Sequence, residues 1–346
     1  MRRLLAFAFL LTLVATAAPA GASPSAKSNV TIRVVTHDFY SVSKSVMRAF
    51  TRRTGIHVKA LKAGDAGAAV NQVILTKDDP IGDVLYGVDN TLLSRALDAN
   101  VFEPYTSSEL DKVPSDLVLD DRHRVTPVDR GDVCINYDKR WFSEHDVSVP
   151  TSLEDLAKPE YRGLLVVENP DNASPGLAFL LATIAHFGED GWQDYWSQLR
   201  ANDVKVVSDW GQAWDENFTA ASDRGERPLV VSYASSPPAT VNAKGTRARA
   251  GTVLASCFQQ IEFVGVLRGT KHERAARRFV DFMLSREFQE DVPDNMYVFP
   301  VREDAALPSV FAKFAELATD PLALPPAEID ANRDRWIDEW TDTVLR

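Results

Sequence analysis

Hydrophobic positions first fall into step at "NVTIRVVTHDFY", where Val30, Ile32 and Val34 alternate with polar residues until Val35 breaks the pattern. Period two predicts a half-buried strand, and the apolar pair predicts that its far end is buried. The spacing then changes. Val42, Val46, Met47 and Phe50 recur at helical intervals, and Gly55 reads as a C-cap. "IHVKAL" predicts a second strand, "GAAVNQVILTK" a helix, "GDVLYG" a strand and "DNTLLSRALDANV" a helix capped by Asp89 or Asn90. Strands alternating with helices predict a parallel α/β sheet.

The same style resumes from about residue 125. "GDVCINYDKRWF" predicts a strand and a turn, and "TSLEDLAKPEYRG" a short helix capped by Thr151 or Ser152. "LLVVENP" is a strand, and "SPGLAFLLATIAHFG" a helix with Ser174 as N-cap and Pro175 at the first helical position. "GWQDYWSQLRAN" is another helix, followed by strand "VKVVSD", helix "WGQAWDENFTAASDRG" and strand "PLVVSY". In the last third, "EFVGVLRG" is a strand, "KHERAARRFVDFMLSREFQEDV" one long helix and "NMYVFPV" a short strand or loop. The tail "PAEIDANRDRWIDEWTDTVLR" is amphipathic, and its Trp336 and Trp340 read as core. Two α/β blocks predict two lobes, residues 29–130 with 260–346 and residues 131–259, with a cleft between them.

Composition narrows the class. A chain of 346 residues, 45% of them hydrophobic, has enough apolar material for two domains. The net charge of −11 argues against nucleic acid as partner. Residues 1–22 read as a secretory signal peptide: Arg2 and Arg3, an apolar run from Leu4 to about Ala17, then A-x-A patterns at Ala18–Ala20 and Ala20–Ala22. That apolar run is shorter than the roughly 18 residues a membrane span needs. The expectation is a soluble protein exported across the cytoplasmic membrane, to the periplasm or the outer face. Cys134 and Cys257 are the two cysteines. In an oxidising compartment they either pair or remain separate buried thiols, and the sequence leaves both open.

Ligands of open α/β sheets bind beyond the carboxyl ends of the strands. Four such places carry chemistry: His37, Asp38, Phe39 and Tyr40; Asn172, Ala173 and Ser174; Trp210; and Ala234, Ser235 and Ser236 after Tyr233. Aromatics, hydroxyls and few charges suit a flat, polar, partly cationic small molecule. Each has a plainer reading: Trp214 as core, Tyr233 as a strand end, Ser174 or Asp38 as helix caps. Catalytic motifs are weak. G-x-S-x-G and H-E-x-x-H are absent, and the six histidines lack ligand spacing. Ser41–Lys44 matches S-x-x-K, but "KGT" at Lys244 is the wrong order for its companion K-T-G.

"VDNTLL", "NASPGLAFLL", "SDWGQAW", "VVSYASSPPA" and "RDRWIDEWTDTVLR", in this order and spacing, resemble the thiamine-binding proteins of bacterial ABC transporters. The likeness runs from the first strand to the C-terminus. It implies a two-lobed α/β fold of the type 2 periplasmic-binding-protein kind, with the ligand between the lobes. Carried over by position, it implies ligand contacts at Asp65 and Ala66, Ala173 and Ser174, Trp210, Tyr233 to Ser236, and Tyr297, beside His37 and Asp38. It also implies capture of thiamine, thiamine monophosphate or thiamine diphosphate, delivery to a membrane permease, and a monomer with no cofactor, metal or catalytic residue. This chain departs from the pattern at His37 and Ala239, where some relatives have Tyr, and at Ala173, where the hydroxyl pair begins with Ser. Two rival readings stand beside it. One is a same-fold receptor for ferric iron, a polyamine or a phosphonate. The other is an exported thiamine-degrading enzyme with Cys134 or Cys257 as nucleophile.

Overall fold

The protein is described by a computed structural model over residues 30–346. The segment read as a signal peptide lies outside the described residues. Within them, no helix is long and apolar enough to cross a membrane.

The first strand, β1 (Val30–Thr36), is followed by α1 (Lys44–Thr54), β2 (Ile56–Lys62), α2 (Ala66–Leu75) and β3 (Val84–Asp89). Gly55 closes α1 in a left-handed conformation, as its position suggests. A shorter α3 (Leu93–Asp98) and β4 (Phe102–Glu103) lead to β5 (Thr126–Arg130). These strands join β11 (Ile261–Leu267) and β12 (Phe299–Pro300), named ahead of their place in the chain, in a sheet ordered β12-β5-β11-β3-β1-β2, with β4 beside β11. The second sheet holds β6 (Val133–Asp138), β7 (Leu165–Glu168), β8 (Lys205–Val207), β9 (Leu229–Tyr233) and β10 (Ala250–Phe258), ordered β10-β6-β9-β7-β8. Its helices are α4 (Lys139–His145), α5 (Ser174–Phe187) and α6 (Trp192–Ala201). The chain passes between the sheets at 130–133 and again at 258–261.

Several expectations are corrected. The sheets are mixed, not parallel: β1 pairs in parallel with β2 and β3, and β7 with β8 and β9. In contrast, β11 runs antiparallel to β3 and β5, and β6 to β9 and β10. The crossing strands cause this, because each enters its new sheet from the other lobe. The long helix of the last third is two helices, α7 (Glu273–Met283) and α8 (Arg286–Met296). Ser285 stops the first and caps the second, its hydroxyl accepting from the Phe288 amide. Residues 154–161 form two short 3-10 turns instead of one capped helix. The helix expected from Trp210 shrinks to one wide turn, Gln212–Asn217. Asp89 caps nothing directly; α3 begins at Leu93, and the Asp89 carboxylate instead accepts from the Thr91 and Leu92 amides.

Helix α5 is buried on every side from Ser174 to Ile184, as a helix apolar all round should be. The tail also departs from expectation. Sequence order placed residues 260–346 with the first lobe, but α9 (Ser309–Phe314) packs against the Pro237–Thr240 turn of the second. Helix α10 (Pro326–Val344) then lies mainly on α6, with a smaller contact to α3. Trp340 meets Trp196 edge-on at 5.4 Å, and Arg335 pairs with Glu189. Trp336 and Trp340 are fully buried, as their spacing predicts.

Candidate functional site

Strand ends from both sheets meet in one cleft of about 790 Å³, its open mouth included. One wall comes from the first sheet: His37 and Phe39 follow β1, Asp65 and Ala66 open α2, and Tyr86 belongs to β3. The facing wall holds Ser174 and Pro175 at the start of α5, Trp210 and Trp214 after β8, Tyr233 at the end of β9, and Ser236 and Ala239 beyond it. The floor is the crossing itself, with Asp129, Gly131, Gln260 and Glu262. The turn after α8 brings Tyr297 to the mouth, 40% exposed.

The aromatic wall is built in layers. Trp210 stacks on Trp214 with centroids 5.6 Å apart and planes 13° apart. Its indole donates to the Ser232 hydroxyl at 3.0 Å, which fixes the ring. Phe39 from the opposite lobe meets Trp210 edge-on at 4.8 Å. The lobes touch elsewhere too. The Ser174 amide points at Asp65 Oδ1 across the cleft at 3.4 Å, and a Cβ on Gly67 would stand 3.1 Å from the Asn172 carbonyl oxygen. The cleft is therefore described in its closed form.

The floor is acidic. Tyr86 donates to Asp129 Oδ2 at 2.6 Å and stands 3.0 Å from Glu262 Oε2. His37 Nε2 lies 3.5 Å from the same Glu262 oxygen, close enough for charge attraction but without hydrogen-bond geometry. Burial and the Glu262 charge push the Asp129 carboxyl well above the usual range. Burial would also raise Glu262, but His37 and the hydrogen bonds from Tyr86 and Asp129 outweigh it and hold Glu262 low. Burial would lower His37, and Glu262 more than reverses that. Behind it, burial raises Asp89 to about 6, and Gln260 donates to its Oδ2 at 2.8 Å. Among the described residues, Asp129 Oδ1 and Gln260 Oε1 have no partner, so the floor leaves two buried oxygens free for a ligand.

Of the candidate site residues, His37, Asp65, Ala66, Ser174, Trp210, Tyr233, Ser236 and Tyr297 line this cleft. Four do not. Asp38 faces away, its carboxylate accepting from Gly64 and its carbonyl from Lys62; it does not cap α1. Ala173 is buried at the N-cap of α5, the place expected for Ser174, one residue earlier than foreseen. Ala234 packs on the disulfide that joins Cys134 to Cys257. Ser235 is buried below Gly131, its hydroxyl unpartnered. The Ser236 hydroxyl already accepts from the Tyr233 amide at 3.2 Å and bonds Ser232. Tyr86, Asp129, Gln260 and Glu262 were not foreseen. The available signal was an acid inside an apolar strand, as in "IEFVGV", which needs a partner or a purpose.

Comparison with known proteins fits this geometry. Residues 79–319 match the family model described as bacterial extracellular solute-binding protein. The thiamine-binding periplasmic protein of Salmonella typhimurium (strain LT2) is 28% identical over 344 residues, 98% of this chain and 99% of that one. That of Brucella suis is 27% identical over 94% of this chain and 96% of its own. A solved periplasmic thiamin binding protein superposes with a TM-score of 0.79 at 26% identity, covering 91% of this chain and 96% of its own. The match spans both sheets and the crossings that form the cleft floor, and the chain belongs to the bacterial extracellular solute-binding protein family.

Proposed function

We propose that the protein is a receptor for thiamine that feeds an ABC importer. The observation that carries this reading is an aromatic wall, Trp210 and Tyr233, facing a buried acidic floor across the cleft between the lobes. A thiazolium cation has a use for both. A cation over an aromatic face contributes roughly 0.5–2 kcal/mol, and more where water is excluded. Glu262 offers the counter-charge, while Gln260 Oε1 offers an acceptor for an amino group. The full-length likeness to thiamine-binding proteins supports the same ligand. Hinge closure about the crossings at 130–133 and 258–261 would enclose the ligand and present both lobes to a permease.

Binding without chemistry accounts for the site, with no cofactor, and the protein acts as a monomer. Cys134 and Cys257 are joined in a disulfide, so neither is a free thiolate of the kind nucleophilic cleavage needs. Among the described residues, no cluster of His, Cys, Asp and Glu has the geometry to hold a metal ion. Calorimetric titration of the purified protein with thiamine tests the reading. Saturable heat and a rise in melting temperature are expected. No heat and no thermal shift with thiamine or either phosphate would overturn it. Thiamine recovered intact after incubation with an amine supports the receptor; cleaved thiamine supports an enzyme.

A further inference from the structure

For the lobes to close as rigid bodies, the crossings at 130–133 and 258–261 must turn together. We infer that the Cys134–Cys257 disulfide is the positioning element of this hinge: it bridges a gap in the β6–β10 ladder beside both crossings and keeps the lobes in register as they close on ligand. The inference concerns motion, not contact with ligand, and it rests on the receptor reading.

On the side of the first lobe, sheet pairing holds the crossings. Arg130 stands opposite Ile261, and the Gly131 amide donates to the Gln260 carbonyl at 3.1 Å. On the side of the second lobe the ladder fails. Val133 pairs with Phe258 and Ile135 with Val253, so Leu254, Ala255, Ser256 and Cys257 all stand opposite Cys134 alone. Extra residues of this kind bend a strand and interrupt its ladder. Side chains fill the interruption. The Ile135 amide donates to the Ser256 hydroxyl at 2.8 Å, and that hydroxyl donates to the Val253 carbonyl at 2.7 Å. The disulfide spans the same gap with a covalent bond. It is fully buried, packed by Ala234, Leu254 and Ala318. The tail is tied to the same place. The Leu322 amide donates to the Cys257 carbonyl at 2.7 Å, and the Ala318 amide to Asp132 Oδ2 at 2.9 Å. Cys134 thus anchors the outgoing crossing and Cys257 the returning one, and the bond between them makes a single pivot. Without it, a bulged strand held by two side-chain hydrogen bonds would separate the crossings, and each could shift alone. Binding that must also order a loose hinge loses affinity to that ordering.

The test uses the double variant Cys134→Ala/Cys257→Ala, which leaves no stray thiol, measured beside the native protein below the melting temperature of both. Without ligand, small-angle scattering should show a larger radius of gyration for the variant. Thiamine should bind it at least about threefold more weakly, mainly through faster release. Leu199→Ala truncates a buried side chain of α6, outside the hinge, and serves as the destabilised control. It should keep the native scattering curve and affinity. Cys134→Val with Cys257→Ala refills the apolar pocket and provides the same comparison should the first variant fail to fold. Native affinity or native scattering in a folded variant without the disulfide overturns the inference and leaves the bond as a stabiliser alone. An equal loss of affinity in Leu199→Ala overturns it too, since general destabilisation would then account for the effect. If the native protein binds neither thiamine nor its phosphates, the receptor reading falls, and the ligand-free scattering alone decides the hinge.

Discussion

Tyr233 ends β9 with its ring in the cleft while its amide and carbonyl are tied to Ser236 and Asn136. Of the two hydroxyls that follow it, that of Ser236 ties down this strand end. Trp210 is held in the same way through Ser232. Replacing either aromatic with Ala should weaken thiamine binding by about tenfold or more, about 1.4 kcal/mol. Calorimetry checks this, and unchanged affinity in a folded variant would make the rings mere packing. Tyr297 separates the two roles differently. Its φ of 54° lies in the left-handed region, where a bulky residue is strained and glycine is not. Tyr297→Gly should therefore hold or raise the melting temperature while lowering affinity. Affinity that holds would confine Tyr297 to shaping its turn. Tyr297 follows a helix and came only from the family resemblance, whereas Trp210 and Tyr233 stand at or just after strand ends and were readable as site candidates. Glu262, Asp129 and Tyr86 were not, because they lie within strands and meet only when β3, β5 and β11 pair.

At the scale of elements, periodicity named most strands and helices but not their partners. Nothing in "EFVGVLRG" reports that β11 returns from the other sheet, so its antiparallel direction was invisible. The amphipathic stripe of α10 was legible, yet its landing on α6 depends on Trp196, which lies far away in sequence. The break at Ser285 was overlooked because apolar spacing continues across it from α7 into α8. Cysteine pairing also needed the fold. Cys134 in β6 and Cys257 in β10 are brought together by neighbouring strands, closing a loop with a sequence separation of 123. Replacing both with Ala should lower stability by about 2–4 kcal/mol. Urea unfolding compared with the native disulfide form measures it. A difference below about 0.5 kcal/mol would show that the strand pairing alone suffices.

For the whole molecule, the buried acids link pH to stability and to binding with opposite signs. Burial raises Asp89 and Asp132 to about 6. Against an ordinary value near 4, the folded protein binds more protons than the unfolded chain between about pH 4 and pH 6. Its stability therefore rises as pH falls through that window. Acids held low lose their contribution only further down, as with Asp155 at about 2, where the Lys158 hydrogen bond dominates. Cation binding goes the other way, since neutralising Asp89 weakens the field at the floor. The ligand-free melting temperature should increase from about pH 7 to about pH 5 while thiamine affinity decreases. Melting curves and titrations across that range check both. Parallel trends would show that Asp89 does not act on the ligand.

The narrow gap at Gly67 turns one hydrogen atom into a gatekeeper of motion. A side chain there would press on the Asn172 carbonyl before the lobes met. Gly67→Leu would work as a doorstop, leaving the first-contact residues in place but holding the jaws apart. Small-angle scattering should then show no contraction on adding thiamine, where the native protein contracts. Such a variant would engage ligand without ever presenting the shape a transporter recognises, a competitive decoy made by adding bulk where evolution left none.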